Sequence, residues 1–187
     1  MNPVHKKFSR RARVATGGAV LAVVALAGFG AVSANASAPA AKPAATAAAS
    51  AGATTTSTHL TIDAATKAAQ AALDAAEKEN QRVTVAVVDR NGNTIVTLRG
   101  DGAGPQSYES AERKAFTAVS WNAPTSQLVE RLQQAPNLKD IPGTLFLAGG
   151  VPVTAGNAPI AGIGVAGAPS GALDEKFAQA GADAVAR

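Results

Sequence analysis

Hydrophobic positions change their period along this chain, and each change marks an element. In "RVTVAVVDRNGNTIVTLRG" they alternate, with Val83, Val85 and Val87 on one side of a β-branched run. Asn91-Gly92 supplies a turn that needs positive φ, and Ile95 to Leu98 returns, so the pattern predicts a β-hairpin. Upstream, in "HLTIDAATKAAQAALDAAEKENQR", Ala65, Ala69, Leu73 and Ala76 recur at helical spacing. Thr61 or Asp63 can cap that helix.

Downstream, the glycine loop "DGAGPQS" leads into a helix from Gln106 to about Trp121. On it Tyr108 shares a side with Ala111, Ala115 and Val119, which predicts that Tyr108 packs in the core. Lys114 falls on the flank away from that stripe and is expected to face solvent or a partner subunit. Pro124 ends the helix, and Thr125 or Ser126 opens a short one. After the loop "APNLKDIPG", the segments "TLFLAGG", "VPVTAGN" and "APIAGIGVAGA" read as three strands divided by Gly and Asn turns. Ser170 or Gly171 opens a last helix, with Leu173, Phe177 and Ala180 on one face. The order α, β, β, α, α, β, β, β, α predicts an α+β fold: a five-stranded antiparallel sheet flanked by helices.

Composition changes the picture at the N-terminus. Lys6, Lys7, Arg10, Arg11 and Arg13 precede an apolar run from about Val14 to Val32, which closes on "SANA" with Ala34 and Ala36 at the small-residue positions. Residues 1–36 therefore read as a secretory signal peptide, and the paired arginines of "SRRARV" resemble a twin-arginine signal. The expected location is secreted, extracellular. Residues 37–58, rich in Ala, Pro, Ser and Thr, carry no apolar period and read as a disordered linker. The folded domain is expected over 59–187. Five of the 17 basic residues lie in the leader, leaving 12 against 13 acids, so the mature chain is close to neutral. Nothing in it forms the basic patch of a nucleic-acid-binding protein. There is no cysteine, so no disulfide supports the exported domain.

The chemistry the chain can offer is narrow. Beyond the leader there is one histidine, His59, one tyrosine, Tyr108, and no methionine. A Ser-His-Asp triad is excluded with one histidine at the edge of the domain, and the glycine loops lack a phosphate-loop lysine. Glu109 and Glu112 stand at i and i+3 on the helix, so both carboxylates can reach one ion. Hard oxygen ligands suit ferric iron, Ca²⁺ or Mn²⁺. The same spacing serves plain helix electrostatics, with Glu109 paired to Arg113 at i+4. Asp74 and Glu77 repeat it, which shows how readily it arises.

The segments "VAVVDRNGN", "SYESAERKAFTAVSWNAPT", "PGTLFLAGGVPV" and "IAGIGVAGAPSGALDEKFAQAG" resemble, in that order, the HbpS/GlcG family of small extracellular or accessory haem-binding proteins. The resemblance covers nearly all of 60–187. It implies a profilin-like fold, assembly into a homo-octamer, haem and iron binding, haem degradation, and pairing with the extracytoplasmic domain of a membrane sensor histidine kinase that reports redox stress. It also implies roles for residues. Thr144 matches the position of a threonine that contacts haem iron, and His59 becomes an axial or nearby ligand rather than a solvated linker residue. Glu109 and Glu112 match a surface iron-binding motif, and Lys114 with Arg113 can neutralise haem propionates. The alternative is a non-enzymatic oligomeric module whose pocket takes another planar ligand, such as a corrinoid.

Overall fold

The computed structural model describes residues 46–186. The expected leader and the first part of the expected linker lie outside the described residues. Residues 46–59 carry no helix or strand and are exposed. Helix α1 (Ile62–Lys78) begins at Thr61, whose hydroxyl accepts the N–H of Ala64 at 3.2 Å. Between the two caps the sequence allowed, the threonine is used.

Strands β1 (Thr84–Asp89) and β2 (Thr94–Arg99) form the expected hairpin. Gly92 takes φ +88° in its turn. The Asp89 carboxylate accepts the amides of Asn91 and Asn93, each at 2.8 Å, which closes the loop from within. Helices α2 (Ser107–Trp121) and α3 (Thr125–Arg131) follow, then a 3-10 turn at Pro136–Asp140. Strands β3 (Gly150–Ala155) and β4 (Ala158–Ala166) form a second hairpin, and α4 (Gly171–Val185) ends the fold under a Ser170 cap.

The sheet order is β2-β1-β4-β3, antiparallel throughout. This is the expected α+β architecture with one correction: the described residues hold four strands, not five. The missing strand is "TLFLAGG". Its amides are taken by groups outside the sheet: Thr144 N–H donates to the Ile141 carbonyl at 3.3 Å, Leu145 N–H to the Thr117 hydroxyl at 2.8 Å, and Gly149 N–H to Glu175 at 3.3 Å. A backbone whose donors are already spent has none left for a ladder.

Alternation along the strands builds two layers. Val85, Val87, Ile163 and Val165 face α1 and α4, where Ala65, Ala68, Ala69, Ala72 and Phe177 complete the main core. The other face belongs to α2. There Gly150, Gly162 and Gly164 lie so near the helix that a Cβ on any of them would overlap the carbonyl of Lys114, Ala115 or Ala111. Only small residues fit such a seam, and α2 presents Ala111, Ala115 and Ala118 to it.

That seam explains a second correction. Tyr108 does not pack in the core; it is 47% exposed. The buried face of α2 is turned toward Ser107, Lys114 and Ala118 from the side that Tyr108 shares with Ala111, Ala115 and Val119. Among the described residues no helix is long and apolar enough to cross a membrane.

The glycine seam predicts that Gly164→Ala lowers the unfolding free energy by about 1–3 kcal/mol, the usual cost of overpacking a tight core. Urea denaturation measures it, and an unchanged midpoint would contradict the seam.

Candidate functional site

The site is organised by a lysine that the sequence placed outside. Lys114 is buried, and its ammonium meets Asp174 of α4 at 2.8 Å, both side chains being 5% exposed. It also donates to the Val165 carbonyl at 3.1 Å. The expectation that Lys114 faces solvent or a partner is thereby corrected. Ala111 stands three positions before it and Ala118 four after, so it belongs to the same small-residue face. That spacing was the signal available in the sequence. An ammonium committed to a buried carboxylate is not a free cation for haem propionates.

The carboxyl of Asp174 is pushed up by burial, against the opposing effects of the hydrogen bond and charge of Lys114 and the amides of Ala168 and Gly167. Its other oxygen accepts the Ala168 amide at 3.0 Å. Glu175, the next residue, accepts from the Ser126 amide at 3.0 Å and reaches Gly149. Thr125 accepts the Gly150 amide at 2.8 Å. Two adjacent acids on α4 thus tie down α2, α3 and the approach to β3. From sequence Thr125 was named only as a helix start, and Asp174, Glu175 and Thr117 not at all. Their partners lie 25 to 60 positions away, and no local pattern marks such contacts.

Thr144 sits in the segment these contacts hold and is 7% exposed. Its hydroxyl donates to the Ile141 carbonyl at 2.7 Å. With the proton engaged there, the oxygen keeps its lone pairs for an acceptor of electrons. Gly143 before it takes φ +81° and lies over the Phe116 ring, which also underlies Gly92 of the β1–β2 turn.

Glu109 and Glu112 lie along one flank of α2 in different settings. Glu109 is exposed and pairs with Arg113. Glu112 is half-buried and accepts from Thr97 at 3.3 Å and Thr94 at 3.5 Å. Among the described residues no third histidine or acid joins them as a metal cluster. His59 is exposed, with Nε2 2.7 Å from the Ser57 hydroxyl. Its charge reaches Asp89: burial acts to raise that carboxyl, but the Asn93 and Asn91 hydrogen bonds and His59 together bring it below its ordinary value.

A groove of about 510 Å³ opens over Lys114 and Asp174, rimmed by Val129, Leu147 and the start of α4. Neither it nor four other cavities on the surface of the described residues is lined by His59, Thr144, Glu109 or Glu112. The structure does not gather the sequence-predicted site residues into one pocket. Of the two donors, the exposed imidazole of His59 is an ordinary ligand type for haem iron, while the Thr144 hydroxyl is a neutral, weak and largely buried one.

Residues 60–183 match the model of a family described as "haem degrading protein HbpS-like". The chain belongs to this family. Among solved structures, the Streptomyces reticuli HbpS double mutant, with two glutamates three positions apart changed to aspartate, is 75% identical. It superposes with a TM-score of 0.74 over 76% of this chain and 97% of that one. A PduOC–haem complex is 26% identical, with a TM-score of 0.63 over 68% of this chain and 95% of that one. An uncharacterised 15.0 kDa protein from the dhaT–dhaS intergenic region of Citrobacter freundii is 32% identical over 113 residues, 58% of this chain and 80% of that protein. The HbpS-like match therefore spans the layered domain from α1 into α4.

Breaking the HbpS-like domain's buried pair from one side leaves an uncompensated charge, so Asp174→Asn is expected to cost about 3–5 kcal/mol. Replacing both partners, as Lys114→Met with Asp174→Leu, is expected to recover most of that loss. Chemical denaturation of the two variants beside the native chain checks it; a double variant no better than Asp174→Asn would refute the pairing argument.

Proposed function

We propose that the chain is an exported haem-binding protein in which Thr144 offers its hydroxyl to the haem iron and His59 supplies the second donor. The observation that carries this reading is the Thr144 hydroxyl, its proton held by Ile141 and its oxygen left free to donate. Membership of the HbpS-like family and the haem complex of a relative support it. Bound haem would supply the redox chemistry, including its own oxidative breakdown. The chain's part is to seat it, with the Phe116 ring as a flat apolar neighbour beside Gly92 and Gly143.

Glu109 and Glu112 are read as a weak, exposed iron site. They are the only two glutamates three positions apart in the chain, the spacing changed in the HbpS double mutant. Two carboxylates leave most of an iron's coordination to water, and Glu109 must first leave Arg113. Export rests on the basic and apolar pattern of residues 1–36. Assembly into an octamer and signalling to a sensor histidine kinase belong to the same proposal and rest on the family resemblance.

Haemin titration followed at the Soret band tests the ligands. Thr144→Ala and His59→Ala are each expected to shift the band and to weaken binding by about tenfold or more, roughly the worth of one lost ligand contact of 1.4 kcal/mol. Glu109→Ala/Glu112→Ala is expected to leave the band alone and to reduce bound ferric iron. Wild-type bands in both ligand variants would remove the assignment, and undiminished iron binding would return the two glutamates to helix electrostatics.

A further inference from the structure

We infer that Thr117 is the positioning residue for Thr144; the inference rests on the haem reading above. Thr117 lies on α2, fully buried, one residue beyond Phe116. Its hydroxyl donates to the Arg113 carbonyl one helical turn back at 2.7 Å. A hydroxyl has one proton, so this bond fixes the rotor and turns the lone pairs outward. One of them receives the Leu145 amide at 2.8 Å.

Leu145 follows Thr144 directly, so this bond sets the backbone that carries the Thr144 hydroxyl. On one side Gly143 rests over the Phe116 ring. On the other, Phe146 is buried with Leu128 and meets Trp121 edge-on, with ring centroids 5.3 Å apart. These two contacts are apolar and weakly directional, and the next side-chain hydrogen bond onto the segment's backbone is at Gly149, four residues on. The Leu145–Thr117 bond is directional, and it defines where along α2 Thr144 comes to rest. A valine at 117 keeps the volume and β-branching but offers no acceptor. The half-buried Leu145 amide would then lose its partner, and the segment would move to find another.

The test uses the full chain in four forms besides the native one: Thr117→Val, Thr117→Ser, Thr144→Ala, and the double variant Thr117→Val/Thr144→Ala. Each is titrated with haemin, reading Soret position and affinity. Thr117→Val is expected to move the band as Thr144→Ala does and to weaken haemin by about tenfold, the order of one buried hydrogen bond. Thr117→Ser is expected to keep native values. The double variant is expected to be no weaker than Thr144→Ala alone, because both changes disable one donor. A native band in Thr117→Val, or additive losses in the double variant, overturns the positioning role while leaving Thr144 as ligand. A native band in Thr144→Ala sinks the ligand assignment itself. If Thr117→Val does not fold, amide hydrogen exchange on the native chain decides: a protected Leu145 supports the inference, and an unprotected one refutes it.

Discussion

Lys114 reaches Asp174 past Gly149, the residue just before the edge strand β3. Its helix lies on one face and Asp174 belongs to a helix on the other, so this single ion pair stitches the layers together. The passage exists because position 149 is glycine. A Cβ there would come within 2.6 Å of the Val165 carbonyl, 2.7 Å of the Lys114 ammonium and 2.9 Å of Asp174. Its φ of +131° is also one that other residues rarely adopt. A buried charge pair gains little over a well-packed apolar one, because desolvation offsets the attraction. What it gives this fold is definition: α2 has one depth and one rotation at which its ammonium meets both Asp174 and the Val165 carbonyl.

Everything assigned to function hangs on that placement. With α2 seated on Gly150, Gly162 and Gly164, its outer flank holds Glu109 and Glu112 beside β2. Further along, Phe116 underlies the β1–β2 turn and Thr117 fixes the segment after Gly143. The neighbouring Glu175 holds the far end of that segment at Gly149. Thr144 is therefore carried on irregular backbone, but backbone tied at both ends to helices that the sheet and the ion pair have already fixed. Functional side chains are commonly presented in this way, on a short loop with a rigid support.

The parts legible in the sequence are those whose cause is local. Asn91-Gly92 between alternating valines specified the first hairpin, alanines at helical spacing specified α1, and Ser170 marked the start of α4. The unread parts depend on distant partners. "TLFLAGG" has the composition of a strand, yet two of its donors go to Thr117 and Glu175, 28 and 26 positions away and outside any local window. Lys114 looked solvated because it falls on the flank away from the stripe of Tyr108, Ala111, Ala115 and Val119. Tyr108 looked buried because it shares a helix side with Ala111, Ala115 and Val119; the glycine seam reverses both by admitting only small side chains and one threaded ammonium. The Glu109–Glu112 pair was visible as a spacing, and so was Arg113 as the partner of Glu109, but the two threonines beside Glu112 appeared only with the fold.

The most direct measurement is a crystal structure of the chain loaded with haem. The account predicts iron within bonding distance of the Thr144 hydroxyl oxygen, with the Leu145 amide still resting on Thr117 and Lys114 still on Asp174. Iron bound elsewhere, with Thr144 untouched, would contradict it.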